Sequence, residues 1–172
     1  MTTREVVAAD EVSSAVDLLA HELAVAMRGR DRWALVAIRE GGVPLADRLA
    51  DAISALGEPR PLRGNVDITL YRDDLYSGLE KPILGDTELE FEITGCGIVL
   101  VDDVLFTGRT VRAAMGEVWD YGRPAFIRLL VLVDRGHREL PISADYVGFT
   151  IETEKRDKVI VEWQPARVSV SR

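Results

Sequence analysis

The sequence is poor in several features that would point elsewhere. It holds one cysteine, Cys96, in 172 residues, so no disulfide can form within the chain. That thiol lies beside a strand-like run, where a buried, inert role outweighs a catalytic one. No hydrophobic run approaches the length of a membrane span, and the N-terminus has no basic segment followed by an apolar one. A reducing cytoplasm is the expected compartment. Positive charge is in deficit: 21 Lys and Arg face 29 Asp and Glu, a formal net charge of −8. That balance argues against broad, constitutive nucleic-acid binding, though not against a small basic patch. Neither G-x-x-x-x-G-K followed by Ser or Thr nor G-x-G-x-x-G occurs, which removes the nucleotide triphosphatase and dinucleotide-binding readings. No internal repeat or low-complexity tract is visible.

What remains is ordinary globular composition, 47% hydrophobic and 29% charged, in a length that fits one domain with a full core. Val16, Leu19, Leu23 and Ala26 recur at helical spacing, with Asp10 as the expected cap. WALVAI (Trp33 to Ile38) is a short continuous apolar run of the kind a doubly covered strand shows. After the loop REGG, Pro44 suits the first turn of a helix that turns Val43, Ala46, Ala50 and Ile53 inward. VDITLY (Val66 to Tyr71), GIVLV (Gly97 to Val101) and FIRLLVLV (Phe126 to Val133) are expected strands, with DYVGF and VIVEW after them; Val111, Ala114, Met115 and Val118 form a helical stripe. Strands alternating with amphipathic helices predict an α/β fold with a mostly parallel sheet. The longest irregular stretch, Arg72 to Glu88, is too long for a simple connection and reads as a functional loop or a tolerated surface insertion.

The stretch VLVDDVLFTGRT, Val99 to Thr110, joins two demands that ordinary connections do not combine. Ligands of open α/β sheets bind outside the carboxyl ends of the strands, and Asp102 and Asp103 fall at that edge. Thr107, Gly108, Arg109 and Thr110 then enter a helix expected to begin near Val111. First-turn amides there have no intrahelical partner, the helix dipole favours negative charge, and Gly108 lets backbone approach closely. The turn suits a phosphate. The acids suit sugar hydroxyls, or a developing positive charge, so a ribose 5-phosphate meets both demands. The plainer alternative is a solvated acidic pair capping a helix, with Thr-Gly as common turn chemistry. A phosphorylation receiver domain fits poorly, since its acidic pair ends the first strand.

IVLVDDVLFTGRTVRAA resembles the phosphoribosyl-diphosphate (PRPP) motif of type I phosphoribosyltransferases. DITLYRDDL, GRPAFIRLLVLVDRGHRELPI and ADYVG resemble the PyrR family, bifunctional pyrimidine operon regulators and uracil phosphoribosyltransferases. The likeness runs from about Trp33 to Gly148. It implies a single phosphoribosyltransferase domain over residues 1–172, with a mostly parallel central sheet flanked by helices and a mobile loop over the active site. It implies transfer of ribose 5-phosphate from PRPP to uracil, giving UMP, with Mg²⁺ accompanying PRPP. On the resemblance, Asp102 and Asp103 meet the ribose hydroxyls and, indirectly, the Mg²⁺ of Mg-PRPP, and Thr107, Gly108, Arg109 and Thr110 the 5-phosphate. Arg39, Glu40, Gly41 and Gly42 correspond to the pyrophosphate loop, and Arg72 opens the catalytic loop. Val133, Asp134 and Arg135 form the base pocket, Arg135 reading the uracil edge; without the family, Asp134 and Arg135 would read as a surface ion pair. No residue announces itself as a general base. A homodimer or tetramer is expected.

Three departures bear on function. Ser143 and Phe149 stand where the family carries Arg and Lys on its RNA-binding face, while His21, His137 and Arg138 match positions linked to that face. Arg138 has Glu139 beside it as an available ion-pair partner. Glu40 puts an acid in a pyrophosphate loop that commonly has a small or hydroxylic residue there. A uracil phosphoribosyltransferase is therefore expected first and a UMP-sensing RNA-binding attenuator with weak or no catalysis second. A purine phosphoribosyltransferase is third, because ADYVGF also occurs in hypoxanthine enzymes.

Overall fold

The computed structural model describes residues 2–68 and 87–172. Five strands form one parallel sheet: β2 (Trp33–Ile38), β3 (Leu62–Val66), β4 (Gly97–Leu105), β5 (Phe126–Asp134) and β6 (Tyr146–Thr150), in the order β3-β2-β4-β5-β6. Three helices cover it: α1 (Ala9–Met27), α2 (Gly42–Ala55) and α3 (Arg109–Asp120).

Period-two alternation explains the layering, because successive side chains of a strand point to opposite faces. Leu35 and Ala37 of β2, Val99 and Val101 of β4, and Leu130 and Leu132 of β5 pack with Leu19 and Leu23 of α1 and Leu45 and Leu49 of α2. The intervening Val36, Leu100 and Val131 pack with Val111, Ala114 and Val118 of α3. Both faces are covered, which is why these strands read as continuous apolar runs. Cys96 lies wholly inside the α3 layer, and burial pushes its thiol pKa up.

Several boundaries differ from the sequence expectation, each for a physical reason. The helix α1 starts at Ala9, so Asp10 sits in its first turn; the Ala8 N–H instead donates to Glu11 Oε2 at 2.9 Å. The third strand covers LRGNV, not VDITLY: Asp67 and Ile68 follow it, and residues 69–71 lie outside the described residues. LRGNV carries little strand propensity, and its state comes from pairing along β2, with Ala34 opposite Leu62 and Ile38 opposite Val66. Gly64 is needed there, because a Cβ would stand 2.9 Å from the Glu88 carbonyl oxygen crossing beside it.

VIVEW is a strand, β7 (Lys158–Trp163), but not of the parallel sheet. It joins β8 (Ala166–Ser171) and β1 (Thr3–Val7) in a separate antiparallel sheet of order β1-β8-β7. Neither β1 nor β8 stands out in the sequence, since both are short and β1 is mostly exposed.

Candidate active site

Three loops converge where β2, β4 and β5 end. The acidic pair lies inside a strand, because β4 continues through Asp102 and Asp103 to Leu105, with Asp102 opposite Val131 of β5. The two neighbouring carboxylates interact directly with each other. Asp102 is buried, 6% exposed, and its Oδ1 accepts the Asp103 N–H at 2.9 Å. Burial raises its pKa well above the ordinary aspartate range, and the Asp103 charge raises it further; Asp103 is raised by burial as well.

Asp103 packs directly on the 39–42 loop. A Cβ on Gly41 would run into the Asp103 carboxylate, and one on Gly42 into the Val101 carbonyl oxygen. The two glycines thus let the turn before α2 lie flat on the end of β4. The Arg39–Glu40 peptide is cis. The Arg39 N–H donates to Val66 O at 2.9 Å, and its guanidinium reaches Glu88 Oε2 at 2.7 Å. Glu40 is exposed.

The 107–110 turn forms the other side of the cleft. Gly108 has φ 91, a left-handed conformation that favours glycine, and a Cβ there would press on Ile142 at 3.3 Å. The α3 helix begins at Arg109, two residues before the expected start, so Thr110 occupies its first turn, exposed. The Thr107 carbonyl accepts the N–H groups of Glu139 (3.0 Å) and Leu140 (3.2 Å), which ties this turn to the 134–142 segment.

That segment is more internally committed than its sequence suggests. Val133 is fully buried. The Asp134 partner is Arg138 rather than Arg135: Arg138 Nη2 donates to Asp134 Oδ2, and the Gly136 N–H donates to Oδ1 at 2.9 Å. Burial alone would raise Asp134, but these hydrogen bonds and the Arg138 charge outweigh it and hold its pKa below the ordinary value. Arg135, expected to read a base edge, is buried and turned to the 153–157 loop. Its guanidinium donates to Asp157 O (2.6 Å), Glu154 O (2.7 Å) and Thr153 Oγ1 (3.2 Å) and stacks 4.1 Å over the Phe106 ring. Its own N–H donates to Leu105 O at 3.1 Å and its carbonyl accepts the Thr153 hydroxyl at 3.3 Å, so Arg135 is committed within the fold in backbone and side chain alike.

The candidate RNA-face residues divide in the same way. His137 Nε2 lies 2.7 Å from Thr153 O, and its ring meets Phe106 edge-on. Arg138 also donates to Phe106 O (2.6 Å) and Ile142 O (3.0 Å), and Glu139 is not its partner. Only His21, on α1, is exposed. Arg72 lies outside the described residues. Sequence reasoning did not single out Glu88, Phe106 or Thr153. An acid at the end of an irregular stretch, a lone aromatic and a threonine carry no periodic signal, and only the fold brings them to this edge.

Among the described residues no group of three or more His, Cys, Asp or Glu converges on a metal position. The described residues therefore form no cage of their own. Two adjacent carboxylates fit an oxygen-seeking Mg²⁺ that arrives on a phosphorylated ligand and keeps most of its waters. A recess of about 450 Å³ at the opposite, amino-terminal end of the strands does not compete for this chemistry. Its Arg28 and Arg60 are paired with Glu58 and Asp51, and Arg32 donates to the Glu92 carbonyl.

Residues 5–168 match the model of the phosphoribosyl transferase domain. The chain is 46% identical over 159 residues to the Bifunctional protein PyrR of Deinococcus radiodurans, covering 92% of this chain and 87% of that one. It is 50% identical over 158 residues to the Bifunctional protein PyrR of Chloroflexus aurantiacus, with coverage of 92% and 87%. Its fold is similar to that of a hypoxanthine phosphoribosyltransferase from Staphylococcus aureus, with a TM-score of 0.71 at 19% identity over 88% of this chain and 79% of that one. A hypoxanthine-guanine phosphoribosyltransferase from Bacillus anthracis gives a TM-score of 0.70 at 19% identity over 86% and 83%. At such identities the two structures carry the fold alone.

The raised Asp102 pKa has a measurable sign. Between the ordinary aspartate value, about 3.9, and the raised folded value, the folded state holds a proton that the unfolded chain has released. Stability therefore falls as pH rises through that window. Asp102→Asn removes the buried charge and keeps an oxygen for the Asp103 N–H. In urea unfolding of the ligand-free protein, the variant is expected to be more stable than the parent at pH 7, with the gap closing as the pH falls toward 4. A variant less stable at pH 7 would contradict the assignment.

Proposed function

The chain belongs to the PyrR family, within the phosphoribosyl transferase domain family, and on that premise we propose that it transfers ribose 5-phosphate from PRPP to N1 of uracil. The observation that carries the reading is the packing of the Asp102–Asp103 pair against the Gly41–Gly42 turn, with the left-handed Gly108 turn opposite. This edge offers two anion sites on either side of two carboxylates, which is the charge pattern of PRPP: diphosphate, ribose, 5-phosphate.

In this reading the bond from ribose C1 to the diphosphate oxygen breaks and a bond from C1 to uracil N1 forms, releasing pyrophosphate and UMP. Asp102 and Asp103 orient the ribose through its hydroxyls and stabilise positive charge developing at C1. The α3 first-turn amides with Thr107 and Thr110 hold the 5-phosphate, and the 39–42 turn holds the diphosphate. Asp102 and Asp103 would hold, indirectly, the Mg²⁺ that accompanies PRPP, which when bound would supply charge neutralisation at the diphosphate. Residues 133–136 and the 153–157 loop, tied together by the Arg135 guanidinium, frame the base position. No general base is assigned. No described helix is long and apolar enough to cross a membrane, and we place the reaction in the cytoplasm.

The direct test is a base panel of uracil, hypoxanthine, guanine and xanthine with PRPP and Mg²⁺, read by pyrophosphate release. Uracil alone is expected to support turnover, and Asp103→Asn to lower it about 10–100-fold with the fold intact. Turnover with a purine base exceeding that with uracil would replace this reading by the purine one. Full activity in Asp103→Asn would remove the carboxylate from the mechanism.

Attenuation by RNA binding is the lesser reading, although the relatives' own name is "Bifunctional". His137 and Arg138 are committed within the fold, and Ser143 and Phe149 supply no charge. Filter binding with a pyrimidine-leader hairpin is therefore expected to be weak, salt-sensitive and indifferent to UMP. Tight binding at physiological salt, stimulated by UMP, would make the regulator the primary function.

A further inference from the structure

In both proposed anion loops the arginine is held by a carboxylate from outside the loop. Arg39 Nη2 stands 2.7 Å from Glu88 Oε2, and the same oxygen accepts Asn65 Nδ2 at 2.8 Å. Glu88 is itself fixed through its backbone. Its N–H donates to Asn65 O (2.8 Å) and its carbonyl accepts the Asn65 N–H (2.9 Å). The preceding Thr87 Oγ1 accepts the Asp67 N–H at 3.1 Å and donates to Glu117 of α3 at 2.8 Å. On the other side of the cleft, Arg109 Nε donates to Glu139 Oε2 at 2.9 Å, and Glu139 Oε1 takes Lys155 Nζ at 2.9 Å. Glu139 is anchored in turn by the bond from its N–H to the Thr107 carbonyl.

Pairs as exposed as these add little to stability: the Arg39 and Glu88 side chains are 25% and 54% exposed, those of Arg109 and Glu139 56% and 33%. Their effect is on direction. A guanidinium is a planar fork of five donors, so a carboxylate on one nitrogen fixes the plane of the whole group. Both carboxylates are held below their ordinary pKa, Glu88 mainly by the hydrogen bonds from Asn65 and Arg39, and Glu139 by those from Lys155 and Arg109. They remain charged at neutral pH and able to act this way.

Building on the phosphoribosyltransferase reading, we propose that Glu88 and Glu139 are positioning residues, Glu88 aiming Arg39 at the diphosphate and Glu139 aiming Arg109 at the 5-phosphate. Two ligands separate the roles. Mg-PRPP carries both groups, whereas UMP carries the 5-phosphate alone.

Calorimetric titration of the full-length protein with Mg-PRPP and with UMP tests this in E88A, E88Q, E139A and E139Q. E88A is expected to weaken Mg-PRPP by about 3–10-fold while leaving UMP within about twofold. E139A weakens both ligands by similar factors. The glutamine variants keep an oxygen for the guanidinium and recover most of the loss, and thermal midpoints stay unchanged. Equal loss of both ligands in E88A, no loss in either alanine variant, tighter binding, or failure of the glutamines to recover it would each overturn the positioning roles. A parent protein that binds neither Mg-PRPP nor UMP would overturn the phosphoribosyltransferase reading beneath them. Normal parent affinity with insensitive variants overturns only the roles of Glu88 and Glu139.

Discussion

The carboxyl edge of the sheet is organised around an acidic pair at the end of β4, Asp102 buried and Asp103 half-buried. Removing a carboxylate from water is unfavourable, and a neighbouring carboxylate makes it more so. Asp102 accepts both penalties, with burial and the Asp103 charge pushing its pKa up. The surrounding fold imposes them. Continuous pairing of β4 with β5 places Asp102 opposite Val131, and the 39–42 turn closes over Asp103 because Gly41 and Gly42 have no side chains to prevent it. On the proposed reading, what this position does for a ligand explains a placement so unfavourable for stability, since sites of strongly perturbed carboxylates are where chemistry is concentrated.

The arginines show the same economy from the other side. In a chain of net charge −8, several arginines among the described residues are already committed to protein partners. Arg135 and Arg138 bind backbone carbonyls and Asp134, Arg63 binds Asp47, and Arg28 and Arg60 bind Glu58 and Asp51. On the proposed reading, phosphate groups are met chiefly by backbone amides at turns and at the start of α3, with Arg39 and Arg109 at the margins. The 134–142 segment is the structural link between these parts. Through Arg138, Glu139 and Leu140 it supports the 106–110 turn, and through Arg135 and His137 it holds the 153–157 loop.

The sheet and the elements that frame the candidate site were largely legible in the sequence because their signals are local. Apolar runs bounded by loops located β2, β4 and β5, and the helical stripes located α1, α2 and α3. The acidic pair before Thr-Gly-Arg-Thr marked the candidate site at the carboxyl edge of β4. What was not legible depends on tertiary pairing. LRGNV is a strand only because β2 lies beside it, and β1 is a strand only because β8, itself paired with β7, reaches it from the far end of the chain. Arg135 and Asp134 look like a surface pair in sequence, yet a buried carbonyl cage takes the first and Arg138 the second. Partner choice of that kind is set by the path of the 153–157 loop, which no short motif encodes.

The central claim is that the turn from Thr107 to Thr110 holds a phosphate whose sugar lies on Asp102 and Asp103. Titrating UMP and uridine against Thr107→Val and Thr110→Val tests it most directly, because valine removes a hydroxyl while nearly preserving shape. The account predicts a loss of about 1.5–3 kcal/mol for UMP wherever a hydrogen bond to the charged phosphate is removed, with uridine affinity unchanged. Equal losses for UMP and uridine would contradict it.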